Sequence, residues 1–134
     1  MTTLKGETMP ISAEPDLVRV RHAVKAWAVE LRFSLVDQTK MVTAASELGR
    51  NTLVYGGGGS VRLEHLDENG RRGLRLTFED QGPGIADLGR AMTDGFTTGG
   101  GLGLGLSGSK RLVNEFSIDS RVGEGTRVTV TRWK

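Results

Sequence analysis

Residues 74–84 read LRLTFEDQGPG and contain a strand pattern that ends in a glycine turn. Leu74, Leu76 and Phe78 alternate with polar residues, as in a strand that is buried on one face only. Asp80 ends this pattern, and the glycines that follow it let the backbone turn sharply beside its carboxylate. The stretch therefore predicts a half-buried strand that holds a carboxylate at its terminus.

A partner for this strand lies directly upstream. Val61, Leu63 and His65 alternate with polar residues, and the turn residues DENG occupy positions 67–70 between the two strand patterns. These features predict an antiparallel hairpin with one covered face.

Two amphipathic helices are predicted before the hairpin. In residues 16–31 the apolar residues recur every three or four positions behind Pro15, which is favourable in a first helical turn. The second helix is predicted to begin at Ser34, whose hydroxyl can cap it, and to run towards Tyr55, where four glycines at 56–59 end it. An edge strand is expected around residues 7–11.

The chain after the glycine turn predicts a long loop, a third helix and a closing hairpin. Leu112, Val113 and Phe116 have helical spacing, so the third helix is predicted over residues 107–116, and two strands are predicted to flank residues 123–125. Helices and hairpins without strict alternation favour an α+β fold, a two-layer sandwich with about three helices on one face of a mostly antiparallel mixed sheet. The predicted division is an N-terminal segment, residues 1–15, and a single domain, residues 16–134.

The composition of the 134 residues disfavours several classes of protein. The chain has 18 Lys and Arg against 16 Asp and Glu, and this balance does not favour nucleic acid as a partner. No run approaches the roughly 20 apolar residues that span a bilayer, and residues 1–7 lack the pattern of a secretory signal. A cytoplasmic protein that binds neither membrane nor nucleic acid is expected. The absence of cysteine excludes disulfides, thiolate metal sites and a cysteine nucleophile.

Glu47 and Asn51 form a polar pair on the second predicted helix. They are four residues apart and therefore project from one side, at the border of the apolar stripe. An amide oxygen there is a suitable ligand for Mg²⁺, and a carboxylate one turn earlier can orient or deprotonate a hydroxyl. A solvated surface pair is the commoner explanation of this spacing alone. Asp80 can likewise accept a hydrogen bond from the amine of adenine, although an ordinary turn explains its motif alone.

A second cluster of glycines leads into the third predicted helix. Unpaired N–H groups at a helix start favour anions, so the loop is predicted to cover phosphates. Residues 103–108 also match G-x-G-x-x-G, but no apolar strand precedes them. A Walker A loop does not fit either, because Gly108 is followed by Ser109 and Lys110 in place of Lys and then Ser or Thr. The predicted cover consists of Gly99, Gly100, Gly101, Leu102, Gly103, Leu104 and Gly105.

In their order along the chain, these motifs resemble those of the GHKL or Bergerat-fold ATPases. Glu47-x-x-x-Asn51 resembles the N box, Asp80-x-Gly82-x-Gly84 the first glycine box, residues 99–106 the second, and Gly125-Thr126 the last. The resemblance implies that residues 16–134 form one GHKL ATP-binding kinase domain with the Bergerat fold, and that ATP and Mg²⁺ bind to it.

The resemblance also implies a role for each matching residue. Asn51 binds Mg²⁺ and Glu47 is the general base. Asp80 recognises the adenine amine, and Thr126 supports that contact. The remaining nucleotide-binding residues of the first glycine box are Gly82, Gly84 and Ile85.

Within this superfamily the chain is similar to the RsbT-type anti-sigma regulatory serine/threonine kinases. The similarity is carried by SELGRN at 46–51, EDQGPGI at 79–85, DGFTT at 94–98 and KRLVNEF at 110–116. Such kinases phosphorylate STAS-domain antagonist and scaffold proteins in bacterial stressosome-like partner-switching pathways, and can activate a PP2C-type phosphatase by binding it. The alternative is an RsbW-like anti-sigma factor that sequesters a sigma subunit.

Two departures from the family pattern are visible. The run at 56–59 is unusually rich in glycine and is expected to loosen a partner-facing loop. Leu104 stands where a small residue is expected, and this change is expected to alter closure of the phosphate cover.

Overall fold

The computed structural model describes residues 1–85 and 105–134. Its elements within these ranges are β1 Thr2–Ile11, α1 Glu14–Glu30, α2 Leu35–Val54, β2 Gly59–Glu68, β3 Arg71–Asp80, α3 Gly105–Arg111, β4 Glu115–Arg121 and β5 Gly125–Trp133. The five strands form one sheet in the order β1-β2-β3-β5-β4, and each of these pairings is antiparallel. The predicted α+β sandwich is confirmed.

The two long helices begin and end close to the predicted residues. Pro15 lies in the first turn of α1. The Ser34 hydroxyl caps α2 by accepting the N–H of Asp37 at 3.1 Å. Such a cap satisfies one of the amides that the first helical turn leaves unpaired.

The core lies between the helices and one face of the sheet. Inward-facing residues of β2, β3 and β5 pack in one cluster with the apolar stripes of α1 and α2, and Leu106 of α3 joins the same cluster. At Gly49 an added Cβ would lie only 3.1 Å from Leu17 and 3.9 Å from Phe78, so α2 approaches both α1 and β3 closely. This close packing holds one border of α2 beside the end of β3.

The third helix is shorter than predicted, and the prediction for residues 112–116 is wrong. The helix ends at Arg111, and Phe116 lies in β4. The amide of Asn114 donates to the Thr131 carbonyl at 2.9 Å, and the Asn114 side-chain oxygen accepts the N–H of Trp133 at 2.7 Å. Pairing with β5 therefore prevails over the local helical spacing.

The expected edge strand is present and longer than predicted. It spans Thr2–Ile11 and pairs with β2, with a register irregularity between Thr3 and Lys5. Only Ile11 is fully buried in this strand. Its first half therefore shows little of the apolar alternation from which a strand is predicted.

No helix in the described part of the chain combines the length and the apolar composition that crossing a membrane requires.

His65 is buried between β2 and α1. Its Nε2 lies 3.2 Å from the Trp27 carbonyl oxygen, and its ring meets the Trp27 indole edge to face at 4.7 Å between centroids. Burial lowers the pKa of His65, although the Trp27 carbonyl and the Glu30 carboxylate act in the opposite direction. The fold therefore favours the neutral imidazole, which donates its Nε2–H to the carbonyl.

We expect the free energy of unfolding to fall as the pH is lowered through the ordinary histidine pKa of about 6.5. Because the folded-state pKa of His65 is lowered, the unfolded chain takes up a proton that the folded chain resists, so the stabilisation is complete above that pH and declines below it. Urea unfolding at about one pH unit above and one below this value measures the difference. His65→Gln should reduce the difference, whereas His22→Gln, which removes an exposed histidine of α1, should not. An undiminished difference in His65→Gln would contradict this assignment.

Candidate functional site

Asp80, the last residue of β3, lies in a row of residues across one end of the sheet. It pairs with Gly59 of β2 and with Thr126 of β5, and Thr126 pairs with Ser120 of β4. Phe78, two residues earlier on β3, belongs to the core under the helices. Because strand side chains alternate, Asp80, Thr126 and Ser120 point to this same helix-covered face.

The two oxygens of the Asp80 carboxylate differ in their surroundings. Oδ1 accepts the N–H of Gly82 at 2.9 Å, so the glycine turn fixes the side chain. Oδ2 has no hydrogen-bond partner within residues 1–85 and 105–134. A half-buried carboxylate with one oxygen held and the other free is a suitable acceptor for an amine.

Backbone segments crowd Asp80 so closely that only glycine fits beside it. A Cβ on Gly56 would lie 2.4 Å from Asp80 Cγ, and a Cβ on Gly82 would lie 2.7 Å from the Gly56 Cα. A Cβ on Gly59 would lie 1.9 Å from the carbonyl oxygen of Glu79. Gly56 and Gly59, the two ends of the glycine run, therefore form a wall of the site. Sequence reasoning missed this role, although the signal was present as four glycines directly after the helix that carries Asn51.

Replacing Gly59 with alanine is expected to open the β2–β3 pairing next to Asp80, because the new Cβ would meet the Glu79 carbonyl. Overpacking of this kind typically lowers the free energy of unfolding by about 1–3 kcal/mol. We expect that loss in urea unfolding and weaker ATP binding in a titration. Gly57→Ala is the control for ATP affinity, since its Cβ would meet no atom within 4 Å; its φ of 76° lowers stability as well, so ATP affinity is the quantity that separates the two variants. Parental ATP affinity in Gly59→Ala would contradict the placement of the site.

The turn that follows Asp80 is tied to the β4–β5 hairpin. The Ile85 amide donates to Ser120 Oγ at 2.8 Å, and the Gly123 amide donates to the Pro83 carbonyl at 2.8 Å. Gly84 has a φ of 75°, and a Cβ there would lie 2.2 Å from the carbonyl oxygen of Arg121. Ile85 packs against the edge of the core. The structure thus brings Pro83, Gly84 and Ile85 next to the β4–β5 hairpin.

The Gly125-Thr126 motif lies against the backbone of Asp80 and places a hydroxyl on the adjacent strand. Gly125 has a φ of 97°, and a Cβ there would lie 2.1 Å from the Asp80 carbonyl oxygen. Thr126 Oγ1 lies 2.8 Å from Ser120 Oγ, and both side chains are half-buried. The Thr126 hydroxyl is therefore held in place on the strand next to Asp80.

Glu47 and Asn51 lie on α2, the helix that leads into this site. Both side chains are half-buried, and neither makes a hydrogen bond to any residue that the structure describes. The amides of Tyr55 and Gly56 donate to the Asn51 carbonyl at 3.0 and 3.1 Å, so the end of α2 connects directly to the segment beside Asp80. The amide and the carboxylate are thus available to a ligand.

The side-chain oxygen atoms of Asn51 and Glu47 are of the kind that suits a magnesium ion bound together with a nucleotide. Among the described residues, no three His, Asp or Glu side chains lie close enough together to hold a metal. Mg²⁺ usually keeps several waters and takes one or two protein oxygens together with substrate phosphates. The free amide oxygen of Asn51 satisfies that requirement.

Most of the predicted phosphate cover lies outside the described residues. This applies to Gly99, Gly100, Gly101, Leu102, Gly103 and Leu104. Gly105 is the first residue of α3, which contacts α2. The cover therefore remains a prediction from the sequence.

Comparisons with known proteins give consistent results. The family model described as "Histidine kinase-, DNA gyrase B-, and HSP90-like ATPase" matches residues 36–134. The serine/threonine-protein kinase RsbT of Bacillus subtilis (strain 168) is 47% identical over 123 residues, covering 92% of this chain and 92% of RsbT. An anti-sigma F factor of Clostridium novyi (strain NT) is 28% identical over 136 residues, covering 96% of this chain and 92% of that factor.

A solved structure supports the fold. The crystal structure of the RsbU and RsbW domains of a Mycobacterium tuberculosis protein matches with a TM-score of 0.65 at 20% identity. The match covers 100% of this chain and 33% of that longer chain. These matches confirm the resemblance drawn from the sequence motifs. The chain belongs to the GHKL family, the histidine kinase-, DNA gyrase B- and HSP90-like ATPases, and within it to the RsbT-type serine/threonine-protein kinases.

Proposed function

We propose that the protein transfers the γ-phosphate of Mg-ATP to a serine or threonine hydroxyl of a STAS-domain antagonist or scaffold protein in the bacterial cytoplasm. The observation that carries this proposal is the Asp80 carboxylate, with one oxygen held by Gly82 and the other free, in the same row as Thr126. The 47% identity to RsbT supports a protein hydroxyl as the acceptor.

In the proposed complex the adenine of ATP binds at the end of the sheet, and the magnesium ion binds at α2. Asp80 Oδ2 accepts the adenine amine, with Thr126 on the adjacent strand. Asn51 holds Mg²⁺ through its amide oxygen, and residues 99–105 cover the phosphates. The bound metal supplies neutralisation of phosphate charge.

Glu47 is the proposed general base. It lies one helical turn before Asn51, is half-buried, and has no hydrogen-bond partner in the described part of the chain. Its carboxylate takes the proton of the acceptor hydroxyl as the new O–P bond forms. The bond between the γ-phosphorus and the β–γ bridging oxygen breaks, and ADP leaves. Alignment and charge neutralisation supply the remaining catalysis.

Incubation with γ-labelled ATP, Mg²⁺ and a purified STAS-domain protein tests the proposal. We expect acid-stable label on a serine or threonine of the partner, because phosphoserine survives acid whereas phosphohistidine does not. A partner whose acceptor serine or threonine is replaced by alanine is the control. An unlabelled partner in the presence of kinase that still binds ATP would contradict the proposed transfer.

A second candidate function is sequestration of a sigma subunit, which the similarity to anti-sigma F factors supports. A third activity, binding and activation of a PP2C-type phosphatase, is compatible with the kinase. Co-purification from the native cell separates these functions. A stoichiometric sigma subunit supports the anti-sigma function, whereas a STAS protein or a phosphatase supports the kinase.

A further inference from the structure

Ser120 of β4 connects three parts of the site through one hydroxyl. Its Oγ accepts the N–H of Ile85 at 2.8 Å, and its single proton can go either to Thr126 Oγ1 at 2.8 Å or to the Gly125 carbonyl oxygen at 3.2 Å. Ser120 is half-buried and pairs with Thr126, which in turn pairs with Asp80. The turn after β3 and the strand that carries Thr126 are therefore joined through β4, two strands away from Asp80.

The hydroxyl protons of Ser120 and Thr126 limit which hydrogen bonds these two residues can donate. A serine hydroxyl has one proton and two lone pairs, and one lone pair is taken by the Ile85 amide. When the Ser120 proton is given to Gly125, Thr126 donates to Ser120 and has no proton left for a ligand. When the proton moves from this longer bond to Thr126, the Thr126 proton becomes free to meet an acceptor.

Adenine presents a suitable acceptor next to its amine. The amine on C6 is a donor, and the neighbouring ring nitrogen N1 is an acceptor. Asp80 Oδ2 has the lone pairs for the amine, and Thr126 on the adjacent strand has the hydroxyl for N1. A carboxylate next to a hydroxyl donor thus complements an amine next to a ring acceptor.

We propose that Ser120 is a positioning residue for adenine recognition: by donating to Thr126 it turns the Thr126 proton towards N1 of the ring. This inference rests on the proposed binding of ATP. Ser120 itself does not touch the nucleotide, and it acts through Thr126.

Calorimetric titration with ATP and with 1-deaza-ATP, which lacks the N1 acceptor, tests the proposal. Ser120→Ala should weaken ATP binding roughly two- to fivefold, because Thr126 can still donate to N1 but loses the hydrogen bond that orients its hydroxyl. It should change the affinity for 1-deaza-ATP by less than about twofold, because that analogue makes no such bond. Ser117→Ala is the matched control, since it removes an exposed hydroxyl from the same strand.

Equal losses for the two nucleotides would show a merely structural role and would overturn the inference, as would an unchanged ATP affinity. Ser120→Thr retains the hydroxyl and should therefore keep the parental preference for ATP over 1-deaza-ATP. If Ser120→Ala does not fold, Ser120→Cys preserves the size of the side chain with a weaker donor and should show the same selective loss. A parent protein that binds neither nucleotide would overturn the proposed function as well, whereas the other outcomes concern Ser120 alone.

Discussion

Asn51→Ala is expected to remove the Mg²⁺-dependent part of ATP affinity and to leave the fold intact. The Asn51 amide has no hydrogen-bond partner within the described ranges, so its removal leaves no buried group unsatisfied. Alanine also favours the helical conformation more than asparagine does, which protects α2. Loss of a residue that merely supports a metal ligand already costs about 10- to 100-fold in metal affinity. For a direct ligand we therefore expect a loss of at least about 100-fold.

Titration of ATP in the presence of Mg²⁺ and in the presence of a chelator measures this effect. The parent should bind more tightly with the metal, and Asn51→Ala should show the weak, metal-independent affinity in both conditions. Thr39→Ala, which changes an exposed residue of the same helix, is the control and should behave as the parent. The metal assignment would be refuted by an Asn51→Ala protein that keeps the parental response to Mg²⁺.

The elements that the sequence predicts well are those with a strong local signal. The stripe that includes Leu17 and Trp27 has helical period, and residues 74–78 have strand period, so α1 and β3 follow from spacing alone. Phe116 is the contrary case, since its spacing from Leu112 suits a helix while its partner Val130 on β5 makes it a strand residue. That partner lies too far along the chain for a local pattern to indicate it.

The residues of the candidate site also differ in whether the sequence alone predicts their role. Asp80 and Asn51 can be singled out from short motifs, because a motif keeps chemically essential residues close in sequence. No short motif predicts the wall formed by Gly56, because that wall depends on how closely the end of α2 approaches β3. Ser120 likewise gains its role from the register that places it opposite Thr126. Contacts between distant segments decide both features, and only the assembled sheet reveals them.

Glu47→Gln is expected to slow phosphoryl transfer by about 10²- to 10⁴-fold and to leave ATP affinity unchanged. Glutamine keeps the size and shape of the side chain but cannot accept the proton of the acceptor hydroxyl at neutral pH. The Glu47 carboxylate is half-buried and makes no hydrogen bond to the described residues, so the exchange disrupts no structural contact. The loss should therefore appear in the transfer step alone.

Single-turnover transfer to the STAS-domain partner at saturating Mg-ATP measures that step, and a parallel titration measures ATP affinity. Glu124→Gln, which neutralises an exposed carboxylate in the turn between β4 and β5, is the control and should transfer at the parental rate. The comparison with Asn51→Ala is the decisive one, because the two residues lie one turn apart on the same border of α2. If Asn51→Ala loses binding and Glu47→Gln loses transfer, the roles of ligand and base are separate. If both variants lost only ATP affinity, that border would serve nucleotide binding alone, and Glu47 would not be the base.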